Sequence, residues 1–385
     1  MSKINSIDAL ILDIPTRRPH VLAMATMETQ SIVLVIIQRS DGAIGVGEAT
    51  TIGGLAYGPE SPESIKLTID TYITPMLLGA DANQPSRLMA ELNKTIVGNQ
   101  FAKCGIEIAL LDALGKSRNM PVSELFGGRV TSTLPIAWTL ASGETSRDIA
   151  EGEEMLSTRS HNIFKLKIGK RSVLDDCAHA AAIARVFEGR ASVRVDVNQR
   201  WSRTQAFEGA RRLHDAGVEL LEQPLAATDL AGMRQLVSQA ILPIMADESL
   251  TGPKSALEIL RNDAADVFSV KISQSGGLTP ARDVMAIGRA GNIELYGGTM
   301  LEGPISSVAS AHLFATCAPL EWGTELFGPL LLAREILAEP LTYKDFGMVL
   351  PDGPGLGIRL DYERVRALTR EGQNLSRALE TLASF

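Results

Sequence analysis

Between residues 134 and 326 the chain alternates short strand-like runs with amphipathic runs of 11–16 residues. The strand-like runs are 134–142, 162–169, 192–198, 219–224, 243–249, 266–273, 293–300 and 318–326, with seven helical spacers between them. Asp196, Glu222, Asp247 and Lys271 fall 26, 25 and 24 residues apart. Strict strand–helix alternation specifies parallel strands covered by helices. A repeat this short fits a compact (β/α)7β barrel of TIM type better than an open doubly wound sheet. No G-x-G-x-x-G opens a helix after a strand, so the dinucleotide fingerprint is missing.

The residues ahead of this region read differently. Segments 4–14, 31–38 and 43–49 have strand character, and Asp41-Gly42 between the last two signals a hairpin. Ser61-Pro62-Glu63-Ser64 opens a helix, and 101–118 forms another with Ile106, Leu110, Ala113 and Leu114 on one face. The expected organisation is an α+β capping domain over 1–128, the barrel over 129–328, and a C-terminal segment over 329–385. That last segment should carry a helix from about residue 361 and pack back on the capping domain.

Composition narrows the function. The chain has 385 residues, 45% of them hydrophobic, enough for a large core without disulfide or metal staples. A net charge of −8 argues against nucleic acid and anionic membranes as partners. An anionic substrate would therefore need locally placed cations. No apolar run reaches the ~18 residues of a membrane helix. Asp8 and Asp13 interrupt the apolar N-terminal stretch, which is not a signal peptide. Three scattered cysteines, Cys104, Cys177 and Cys317, form no disulfide framework, so a reducing cytoplasm is expected.

In such a barrel, chemistry sits at the C-terminal strand ends. Side chains alternate along Phe164-Lys165-Leu166-Lys167-Ile168, which points Lys165 and Lys167 inward. Alone, this K-x-K also fits an edge strand with two solvated lysines. The third strand points Asp196 inward, ahead of Asn198; the fourth ends at Glu222, the fifth at Asp247. Each acid alone would read as a loop carboxylate or a helix cap. Together they place one acid at each of three consecutive strand ends, and such a cluster repels itself without a cation. Hard oxygen ligands suit Mn2+ or Mg2+. The sixth strand brings Lys271 inward, opposite Lys167. It neutralises the acids, acts as a base with its pKa lowered by neighbouring cations, or does both. Glu325 ends the eighth strand, and Gly297-Gly298-Thr299 on the seventh lets a ligand approach closely.

The order K-x-K, Asp, Glu, Asp, Lys on successive strands resembles the muconate-lactonizing subgroup of the enolase superfamily. The resemblance extends to Gly47-Glu48-Ala49-Thr50-Thr51-Ile52-Gly53-Gly54, to Trp138–Gly143 and to Tyr296–Glu302. It implies a metal-dependent cycloisomerase that interconverts cis,cis-muconate and muconolactone through an enediolate, in aromatic degradation. Related activities on chloromuconate, on dipeptides or N-acyl amino acids, or in o-succinylbenzoate formation share the same residues. By resemblance, Asp196, Glu222 and Asp247 hold the metal and Lys167 is the acid/base. Lys165 would lower the pKa of Lys167 and contact the substrate carboxylate. Lys271 would lie on the opposite face and Glu325 beside the substrate. Capping loops around His20–Met27 and Thr51–Gly58 would bring His20, Ile52 and Tyr57 to the substrate, with Asn198 and Thr299 from the barrel. A small dicarboxylate substrate and a homo-oligomer, often an octamer, are also implied.

Overall fold

In the computed structural model, which describes residues 2–21, 26–317, 320–373 and 380–381, the chain opens with an antiparallel sheet. Its strands β1 (Ile4–Val21), β2 (Thr26–Arg39) and β3 (Ile44–Thr50) lie in that order. The Asp41-Gly42 hairpin is present: Arg39 N donates to Ala43 O at 2.9 Å. β1 and β2 run further than their apolar cores because pairing resumes past an irregularity, with His20 opposite Met27. Ile32–Ile37 are completely buried, as expected of a strand covered on both faces.

The helix Gln100–Arg118 lies against this sheet. It is buried along both sides from Phe101 to Gly115, not only on the face expected from its periodicity. The cause is its position between the sheet and the second half of the molecule, where Glu107 Oε2 accepts from Thr279 N at 3.2 Å.

Beyond residue 130 the strands are β4 (Thr133–Pro135), β5 (Trp138–Leu140), β6 (Ile163–Lys167), β7 (Ser192–Asp196), β8 (Leu220–Glu222), β9 (Ile244–Ala246), β10 (Val267–Val270) and β11 (Glu294–Gly297). β5 to β11 form one seven-stranded parallel sheet in chain order, as in a TIM-type domain. Thr324 bridges both of its margins, pairing with Gly297 on one side and Ile136 on the other. The eighth position is thus bridge residues, not a regular strand; residues 318 and 319 of the expected strand lie outside the described ones.

The expected first strand, 134–142, is two. β4 leaves the parallel sheet and pairs with β13 (Gly347–Val349), which pairs in turn with β12 (Thr342–Lys344). Ile136 N carries that pairing one step further, donating to Phe346 O at 3.0 Å, before β5 begins. The C-terminal segment returns to β1: Leu332 bridges Thr16, Thr369 bridges Leu12, and Arg370 N donates to Ile11 O at 2.9 Å. Among the described residues, no helix is long and apolar enough to cross a membrane.

Candidate active site

Register builds the site. Lys165 lies opposite Thr139 of β5 and Arg194 of β7. One step on, Lys167 lies opposite Asp196, and Asp196 opposite Glu222. Three ionisable side chains therefore share one row at the C-terminal ends of β6, β7 and β8. Phe164 points the other way and packs on Phe187 of the helix Val173–Phe187, ring centroids 4.9 Å apart. Asp247 directly follows β9, Lys271 follows β10, and Glu325 follows the Thr324 bridge.

Asp196, Glu222 and Asp247 each bring a carboxylate oxygen within 4.8 Å of the others, and all three residues are buried. Glu222 Oε1 is buried with no hydrogen-bond partner. A buried set of hard oxygens with an unpartnered oxygen fits a divalent cation such as Mn2+ or Mg2+. Asn198 orients the set: its N donates to Asp196 Oδ1 at 2.8 Å, its Nδ2 to Asp196 Oδ2 and Glu248 Oε1 at 3.1 Å each.

Three lysines ring these acids. Lys167 Nζ donates to Asp196 Oδ2 at 2.5 Å. Lys165 Nζ donates to Glu222 Oε2 at 2.9 Å and Glu325 Oε2 at 2.6 Å. Lys271 Nζ donates to Asp247 Oδ2 and to Tyr57 Oη, both at 2.8 Å. Burial opposes charge on Lys165, but Glu222 and Glu325 outweigh it and hold its ammonium well above the usual lysine range. Burial is likewise outweighed at Lys271 by Asp247, Glu222 and Glu248. These carboxylates favour the reading in which Lys271 neutralises the acids. Among the acids, burial is outweighed at Asp196 by Lys167 and Lys165, which hold it low. Burial followed by the charge of Asp196 pushes Glu222 well up.

Above this cluster lies a cavity of about 20 Å³ lined by His20, Ile52, Tyr57, Thr139, Lys165, Lys167, Asn198, Asp247, Lys271, Thr299, Leu301 and Glu325. Asp196 and Glu222 sit beneath it. Tyr57 reaches deep: its Oη donates to Asp247 Oδ2 at 2.8 Å, and Lys271 Nζ lies 4.9 Å from its ring centroid. His20 is 1% exposed, and neither ring nitrogen has a partner. Burial, then Lys167, Arg18 and Lys165, lower its pKa to about 3, so the imidazole is neutral at neutral pH. Arg18 fastens this end of β1 to the barrel side through Glu151 at 2.8 Å. Residues 22–25 of the expected first capping loop lie outside the described residues.

Thr139 and Leu301 were not singled out from sequence. Thr139 Oγ1 donates to Glu325 Oε1 at 3.1 Å, and strand parity beside Lys165 could have found it. Gly297, the last residue of β11, and Gly298 are needed for close packing. A Cβ at Gly298 would lie 2.8 Å from Lys271 Cγ, and one at Gly297 would lie 2.7 Å from the Phe314 ring.

Comparison with known proteins follows the same lines. Residues 6–127 match the mandelate racemase / muconate lactonizing enzyme N-terminal domain model, and 147–365 match the enolase C-terminal domain-like model. The chain is 54% identical to muconate cycloisomerase 1-2 of Acinetobacter lwoffii, covering 96% of each chain. A Pseudomonas chloromuconate cycloisomerase is more distant, at 42% identity over 96% of this chain and 99% of that one. The crystal structure of muconate lactonizing enzyme from Pseudomonas fluorescens, complexed with muconolactone, superposes with a TM-score of 0.95. It is 52% identical and covers 96% of this chain and 100% of that one. With both halves matched and near-full-length relatives above 50% identity, the chain belongs to the mandelate racemase / muconate lactonizing enzyme family of the enolase superfamily.

Proposed function

We propose that the chain is a metal-dependent cycloisomerase interconverting cis,cis-muconate and muconolactone, built on a closed (β/α)7β barrel under its capping domain. One arrangement carries the reaction class: three buried carboxylates within 4.8 Å of one another under a cavity lined by Lys165, Lys167 and Lys271. The substrate follows from the relatives, which are more similar where named for muconate than where named for chloromuconate.

In the forward direction one substrate carboxylate oxygen adds to the double bond conjugated with the other carboxyl group. A C–O bond forms, the π pair moves onto that carboxyl group as an enediolate, and the carbon beside it takes a proton. Lys167, whose Nζ lines the cavity beside Asp196, gives that proton and regains one from solvent. Lys165, held charged by Glu222 and Glu325, attracts a substrate carboxylate. Lys271 holds the opposite wall with Tyr57, while Ile52, Thr299 and neutral His20 complete the enclosure. A Mn2+ or Mg2+ ion held by Asp196, Glu222 and Asp247 would supply neutralising charge for the carboxyl group on which negative charge develops. The cavity holds about one water molecule. A six-carbon dicarboxylate therefore needs side chains that line the cavity to move apart.

The test is ultraviolet loss of cis,cis-muconate on adding protein with Mn2+, with and without chelator. Metal-dependent conversion to muconolactone is expected. Lys167→Ala should lower kcat by about 10²–10⁴-fold while still binding Mn2+. Wild-type protein that binds Mn2+ yet leaves muconate untouched would sink the substrate assignment, and an active Lys167→Ala would remove that lysine from its role.

A further inference from the structure

The runs Gly47–Gly54 and Tyr296–Glu302 carry residues that the chemistry above does not use, and the structure places the two runs against each other. Glu48, on β3, is fully buried. Its Oε1 accepts from Gly303 N at 2.6 Å and from the Thr50 hydroxyl at 2.5 Å; its Oε2 accepts from Ile305 N and Ser306 N at 3.1 Å each. These amides begin the helix Pro304–Phe314, whose own N-terminal residue supplies no side-chain cap. A carboxylate from the first sheet thus caps a helix of the barrel half. Gln30, on β2, adds a second hold: its Nε2 donates to Leu301 O at 2.8 Å.

The Thr299–Gly303 segment is thus held at its middle, Leu301, and at its C-terminal end, Gly303. Glu302 ties it internally, accepting from Met300 N at 2.8 Å and from the Thr299 hydroxyl. Leu301 has φ 56°, a left-handed conformation that leucine keeps only where its surroundings impose it. Thr299 and Leu301 both line the cavity.

We propose that Glu48 and Gln30 are positioning residues that clamp the Thr299–Gly303 segment and so set the cavity wall that discriminates among muconates with different substituents. The proposal rests on the cavity being a muconate site. Two halves that were merely joined by Glu48 would have no need of a second polar hold, from Gln30, on the left-handed Leu301 two residues before Gly303. Burial pushes Glu48 up to about 7, with Glu302 adding to the effect and the amide donors opposing it. The titratable groups facing it are Glu302 from the barrel side and Cys104 from the helix Gln100–Arg118, whose thiol burial keeps protonated. As pH falls through about 7, Glu48 gains a proton and becomes a weaker acceptor for the three amides.

The experiment compares wild type, Glu48→Gln and Gln30→Leu. It measures kcat and KM for cis,cis-muconate and a chlorinated muconate from pH 6 to 9, and amide hydrogen exchange over residues 299–306. Glu48→Gln should leave kcat nearly unchanged and raise KM by about tenfold, the scale of one lost charge-assisted hydrogen bond. It should also shift the ratio of kcat/KM between the two substrates, speed exchange at Gly303, Ile305 and Ser306, and remove the rise in KM below pH 7. Gln30→Leu should move KM, the substrate ratio and exchange in the same direction, and it decides the matter if Glu48→Gln does not fold. Unchanged kinetics in a folded variant overturns the proposal, as does an equal loss of kcat on both substrates with their ratio intact. Unchanged exchange overturns the clamp even if wild type proves inactive on muconate, an outcome that separately removes the functional reading.

Discussion

Asp196 is gripped from two directions. Lys167 and Asn198 both donate to its Oδ2, and Asn198 N reaches its Oδ1. The Asn198 carboxamide also spans to Glu248, so its rotamer is fixed from both sides. Residues that orient a metal ligand are worth about 10–100-fold in metal affinity. Asn198→Ala should weaken Mn2+ binding by that factor, measured by titration followed by electron paramagnetic resonance, with the folded circular dichroism spectrum unchanged. Wild-type affinity in the variant would show that Asp196 needs no such orientation. Strand parity made Lys165, Lys167 and Asp196 readable, because β6 and β7 stay regular through all three positions. It stopped being a guide at Glu248, because β9 ends at Ala246 and the chain then turns. Parity also tells which side Lys271 occupies but not what it faces. The balance of three carboxylates against burial at that lysine is set by strands far apart in sequence.

The element scale shows the same division between local and non-local causes. The parallel strands were legible because each pairs mainly with its sequence neighbours and repeats at near-constant spacing. The split of 134–142 was not, since β4 finds its partner in β13, more than two hundred residues away. The glycines of β3 are another non-local case. In sequence, Ile44-Gly45-Val46-Gly47-Glu48 is a strand with two unexplained weak residues. In the structure, a Cβ at Gly47 would lie 2.0 Å from Gly105 O and 2.9 Å from Ala109 N of the helix Gln100–Arg118. Sheet and helix can meet this closely only with hydrogen at that position. Gly47→Ala must push the helix from the strand, at a cost of about 1–3 kcal/mol or more for overpacking. A lowered urea midpoint is expected, together with a raised KM, because Glu48 is the next residue and moves with the strand. A midpoint equal to wild type would mean that the interface has slack the packing does not show.

At the scale of the whole molecule, β1 links the C-terminal segment to the cavity. Its middle carries Leu12 and Asp13, which receive the C-terminal segment, and its far end carries His20 into the site. Leu332, Thr369 and Arg370 of the C-terminal segment meet β1. What fastens them there is a charge cluster with no local signature. Arg370 donates to Asp13 Oδ2 at 2.6 Å and Oδ1 at 2.8 Å, and also to Glu63. The hydrogen bond from Arg370 is the main reason that Asp13 and Glu63 both sit below the usual carboxylate range. The folded form then binds fewer protons than the unfolded chain at mildly acid pH. The cluster's stabilisation is thus complete above the ordinary carboxylate pKa of about 4 and is lost as pH falls through the lowered values. The groups are partly exposed, so salt screens the effect and its size is modest. Acidification from pH 6 to pH 3 should therefore release the segment before the sheet opens. Amide exchange at Arg370, corrected for its intrinsic pH dependence, should speed up relative to that of Leu34, which is buried in β2. Arg370→Met should show the faster exchange already at pH 6 and little further change on acidification. If the wild-type amides at Arg370 and Leu34 keep the same relative protection at both pH values, the apolar contacts of Val365, fully buried on the helix Tyr362–Leu368, hold the segment without help from the charges.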